Sequence, residues 1–71
     1  MNLRTYLESN DITQAAFAAR LGVTQGLVWQ WLAERTTITA ERAIQIEAAT
    51  DGHVHRHELR PDLYPRDEAA A

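Results

Sequence analysis

The 71-residue chain has no cysteine, so it can form neither a disulfide nor a thiolate metal site. It also lacks lysine: all seven basic side chains are arginines, the type that grips phosphate with a bidentate fork. Its two prolines, Pro61 and Pro65, lie near the end and leave everything upstream free for uninterrupted helices. No apolar run approaches the ~18 residues that a membrane span needs. The opening MNLRTYLESND puts polar and acidic residues where a secretory signal needs an apolar core, so a cytoplasmic location is the expectation. No Ser/His/Asp arrangement, phosphate-cradling glycine loop or HExxH stretch is present, and a small helical domain leaves little room for a pocket. Neither an enzyme nor a cofactor is expected.

What is present points to one small soluble domain. The hydrophobic fraction is 45%, and a chain of this length buries roughly 60% of its unfolded surface, so its core can only be modest. Net charge is −3, whereas nucleic-acid-binding domains are usually basic. Part of the imbalance sits in the tail, where Asp62, Asp67 and Glu68 face Arg66. The body before it is close to neutral and can still present a local basic face.

Helical spacing dominates. Leu3, Tyr6 and Leu7 form an i, i+3, i+4 stripe and predict a first helix over the first ten residues, broken at Asn10 and Asp11. Thr13 caps a second, alanine-rich helix to Leu21, which Gly22 ends. Thr24 caps a third to about Glu34, and Arg35 to Ile38 form a loop. Thr39 caps a fourth that runs to Thr50 and stops at Asp51-Gly52. His53 to Leu59 reads either as a short strand or as one to two helical turns; a lone strand has no partner, so a fifth short helix is preferred. The fold class expected is all-α, a compact four- to five-helix bundle. The domain spans 1–64, with a flexible tail over 65–71.

Within it, Gln14 to Leu32 (QAAFAARLGVTQGLVWQWL) has the form of a helix-turn-helix, over about 14–33. Two helices joined by a tight turn cross steeply only where the crossing residue is small, hence Ala18. The reversal four positions on needs a positive φ, hence Gly22. Phe17, Leu21, Val23, Val28 and Trp31 fall in phase to face one core. Gln25, Gly26 and Gln30 are left on the opposite side of the third helix, where Gln can pair with adenine N6 and N7 in a major groove. The bland alternative is a helical hairpin with solvated glutamines.

The same run resembles the helix-turn-helix of lambda-repressor-like and Cro-like phage proteins. With LGVTQGLVWQWL, ITAERAIQIEAATDG and ELRPDLY, the chain from Leu3 to Tyr64 is similar to the YdaS-type, Cro-like regulators of prophages. The resemblance implies a stand-alone repressor that binds double-stranded operator DNA as a homodimer. It also implies phosphate contacts from Gln14 and Thr24, base readers at Gln25, Gly26, Leu27 and Gln30, and a backbone-touching loop at Arg35 and Thr37. Gly26 departs from the pattern, because it offers no side chain where a reader is usual.

Other features keep more than one reading. Trp31 is in phase with the core, so Trp29 must point elsewhere: against the fourth helix, onto another subunit, or to a phosphate through its indole N–H. Arg4, Arg20, Arg42, Arg56 and Arg60 read as surface or intramolecular partners. Val54, Leu59, Leu63 and Tyr64 offer a dimer surface, or else close the monomer's own core. His53, His55 and His57 splay on a helix, so no metal site is expected. The rival function is a protein-binding module, an antitoxin or anti-repressor on the same scaffold.

Overall fold

The computed structural model describes residues 1–65, and these contain five helices and no strand. The tail expected over 65–71 lies, except for Pro65, outside the described residues. Four of the helices begin with the same local chemistry, in which a side-chain oxygen accepts a backbone N–H otherwise left without a partner. In α1 (Leu3–Ser9) Asn2 Oδ1 accepts the Thr5 N–H at 2.8 Å. In α2 (Gln14–Leu21) Thr13 Oγ1 accepts from Ala16 at 3.0 Å. In α3 (Gln25–Leu32) Thr24 Oγ1 accepts from Leu27, and in α4 (Ala40–Ala49) Thr39 Oγ1 accepts from Arg42, both at 3.2 Å.

The helix ends share a second device. A residue with positive φ reverses the chain, and the N–H of the next residue returns to the carbonyl five positions before it. After α2 this residue is Gly22, φ 71°, and Val23 donates to Ala18 O at 3.0 Å. After α1, α3 and α4 it is an acid: Asp11, Glu34 and Asp51, at φ 53°, 57° and 55°. Glu34 therefore stops α3 two residues earlier than the expected helix end, with Arg35 donating to Gln30 O at 2.9 Å.

The short α5 (Arg56–Leu59) covers only the second half of the segment expected to be helical. Val54 instead turns inward and is wholly buried. The Thr50 hydroxyl, also wholly buried, donates to Ile46 O at 2.9 Å and accepts the Val54 N–H at 3.1 Å, which fixes that turn. One core results, built from Leu3, Tyr6 and Leu7 of α1, Phe17 and Ala18 of α2, Val28 and Trp31 of α3, Ile46 of α4, and Val54. Burying each large apolar side chain contributes about 1.5–3 kcal/mol. α2 packs on α3 and α4, and α5 packs on α4.

Candidate nucleic-acid interface

The α2–α3 crossing presents α3 to solvent. Ala18 is 3% exposed at the crossing, and the left-handed conformation of Gly22 makes the turn. At about 100° per residue, Val28 and Trp31 face the core, and Leu27 and Leu32 flank them half-buried. Gln25, Gly26, Trp29 and Gln30 form the exposed side. Of the four expected base readers, Gln25, Gly26 and Gln30 thus share one accessible face, whereas Leu27 is partly committed to the core. A Cβ placed on Gly26 would meet nothing nearer than Thr24 Oγ1, at 3.9 Å, so no packing within the monomer demands glycine there.

The expected phosphate ligands lie at the starts of α2 and α3 and in the loop after α3. Thr24 is exposed, and its oxygen accepts the Leu27 N–H, leaving its own O–H proton free to donate. Arg35 and Thr37 are exposed in the loop after α3, and Gln14, the first residue of α2, is half-buried. The loop borders a groove of about 810 Å³ whose walls include Arg4, Arg35, Thr37, Leu59 and Arg60.

Four of the six described arginines are engaged internally. Arg4 donates to Leu32 O at 3.0 Å, and Arg42 to Gln45 Oε1 at 2.6 Å. Arg60 grips Asp62 with two N–H groups, at 3.0 and 2.7 Å, and also donates to Ile38 O. That fork holds the Asp62 carboxyl below its usual range. Arg56 donates Nε and Nη2 to Glu47 Oε1 at 3.0 and 2.7 Å, and its backbone N–H to Glu47 Oε2 at 3.1 Å. Glu47 is therefore also the cap of α5, because His55 makes no side-chain cap, and these bonds from Arg56 hold its pKa below the ordinary 4.5. Arg20 and Arg35 are the two described arginines whose guanidinium groups make no hydrogen bond or ion pair.

The four residues offered as a dimer surface separate. Val54 lies in the monomer's core, which removes it from any surface. Leu59 packs half-buried on that core, and Tyr64 donates its O–H to Ala40 O at 3.3 Å. Leu63 alone of the four is exposed. The histidines do not converge: His53 Nδ1 lies 2.8 Å from Thr50 O, while His55 and His57 stack on each other.

Three placements were open for Trp29: against α4, on another subunit, or toward a phosphate. It is 48% exposed, and the Arg35 guanidinium lies 5.4 Å from the centre of its ring. That exposure weighs against the α4 placement and leaves the other two open, in keeping with a spacing that sets Trp29 four residues after Gln25, on the same outward face.

Against known proteins, the family model described as "Bacterial toxin YdaS" matches residues 13–68. The chain belongs to the YdaS family. The match takes in the whole α2–α3 unit and the helices after it. Within that family, the chain is similar to "Putative transcriptional regulator YdaS" of Escherichia coli (strain K12), with 46% identity over 50 residues, 70% of this chain. It spans about half the length, 51%, of that relative. No solved structure matches. Among the described residues the chain is all-helical, and none of its helices is long and apolar enough to cross a membrane.

Proposed function

We propose that the chain is a sequence-specific reader of double-stranded DNA that acts as a Cro-like transcriptional repressor of phage or prophage origin, in the cytoplasm. The observation that carries this reading is the outward face of α3, where Gln25 and Gln30 are exposed on a helix held by a tight crossing. In a major groove each Gln can pair bidentately with an adenine, worth about 1–3 kcal/mol of discrimination. Thr24, Arg35 and Thr37, with Gln14 at the start of α2, fix the register on phosphates and carry no sequence information themselves. One copy covers too little duplex for tight binding, so two copies on half-sites about 34–36 Å apart are required. Leu63 is the exposed member of the C-terminal contact between them.

Selection of bound sequences from a random duplex pool tests the reading directly. A symmetric site should emerge, and Gln30→Ala should lose about 1–3 kcal/mol on that site while leaving scrambled duplexes unaffected. Equal loss on every sequence, or no duplex bound at low salt, sinks the base-reading role. A second reading, in which the scaffold holds another protein, is favoured by the −3 charge and the internal engagement of four arginines. The family's description as a toxin is compatible with either, since seizing a promoter or a protein partner can arrest growth.

A further inference from the structure

We infer that Trp29 is a positioning residue for DNA, a platform that holds Arg35 for a phosphate beside α3. The inference rests on the reading of α3 as the helix that enters the groove. Three observations converge on it. First, Trp29 shares the face of Gln25 and Gln30 and is 48% exposed, so a duplex seated on the glutamines meets its indole. Second, the chain is turned back onto that indole: Glu34 takes φ 57°, Arg35 N–H closes on Gln30 O at 2.9 Å, and the Arg35 guanidinium comes to rest 5.4 Å from the ring centre. Third, Arg4, Arg42, Arg56 and Arg60 are held by carbonyl, amide or carboxylate oxygens, but Arg35 is held by a ring.

An aromatic face attracts the cation without occupying its N–H donors. All five guanidinium donors of Arg35 therefore remain for a partner, on a side chain already restricted in orientation. A phosphate accepts such a fork in bidentate geometry. The indole supplies order, and Arg35 supplies the charge. Trp29 then contributes to affinity for any duplex and adds nothing to the choice of bases.

A double-substitution cycle on the full chain tests this, using a labelled duplex recovered by selection and a scrambled duplex of the same length. Arg35→Ala should weaken both duplexes about fivefold and flatten the dependence of log affinity on log salt by about one. Trp29→Ala should weaken both about threefold, Trp29→Phe less than about twofold, and Trp29→Ala made on Arg35→Ala should add almost nothing. Far-UV circular dichroism and melting of each variant confirm folding, which an exposed side chain outside the core should leave intact. An undiminished Trp29→Ala effect without Arg35 overturns the platform, as does a change in preference between the two duplexes. If wild type binds DNA but both single variants bind equally well, the platform fails while the α3 reading stands. If wild type binds neither duplex at low salt, both fail.

Discussion

Thr50 joins two backbone segments with one hydroxyl. It donates into the last turn of α4 and accepts from Val54, and both residues are wholly buried. Valine matches threonine in shape but accepts nothing, so Thr50→Val leaves the Val54 N–H without a partner in the core. The expected cost is about 1–3 kcal/mol in urea unfolding, with Thr50→Ser milder because it keeps the hydroxyl. A Thr50→Val loss below about 0.5 kcal/mol would mean that water reaches the Val54 amide. The same scale shows what single letters reveal. Thr13, Thr24 and Thr39 are legible as caps because their chemistry acts three residues away. Thr50 is not legible as a staple, since only the fold discloses that position 54 turns inward.

At the scale of elements, boundaries were legible wherever their signal is local. A reversal normally advertises itself with glycine, as Gly22 does. Asn10-Asp11 and Asp51-Gly52 were also read as stops, but Glu34 takes the left-handed conformation without any such signal, which is why α3 ends earlier than its periodicity suggests. α5 was the hardest to delimit because its cap is not local: Glu47 reaches it from α4, nine residues before Arg56. This capping carries a pH dependence. The Glu47 pKa is lowered in the fold by Arg56, so its contribution is complete above the ordinary value of 4.5 and is lost as pH falls through the lower, folded value. Protection of the α5 amides, taken relative to intrinsic exchange at each pH, should therefore be steady from pH 7 to about 5 and fall below about 4.5. Glu47→Gln should lower it already at neutral pH, by the loss of a cap worth about 1 kcal/mol. A flat profile through that range would show that Arg56 orders α5 without the carboxylate.

For the whole molecule, charge decides how DNA would be held. The chain carries −3 overall, and of the described arginines only Arg20 and Arg35 have guanidinium groups outside hydrogen bonds and ion pairs. Counting only the described residues, two free arginines per copy give about four phosphate neutralisations for a pair of copies. Log affinity against log salt should then have a slope of about −3 to −4. A titration giving about −6 or steeper would mean that the internally held arginines let go of their partners and turn outward on binding. Self-association should be weak without DNA, because the large exposed apolar side chains, Met1, Trp29, Ile44 and Leu63, are dispersed over different elements. Sedimentation should show single copies alone and two copies on each operator. The composition made the charge visible, but only the folded chain shows which arginines are spoken for.

The open space above Gly26 separates the problem of folding from the problem of recognition. No neighbour in the monomer closes on that position, and every residue except proline is a better helix former than glycine. A longer polar side chain there would change what α3 offers to a groove without the core registering the change. For a DNA reader, this makes position 26 a blank letter in an otherwise fixed word. If α3 reads a groove as proposed, descendants of such a chain would be expected to move from one operator to another by single substitutions at that site, without an intermediate that fails to fold. A library varied at position 26 alone is the smallest collection from which readers with new preferences could be drawn.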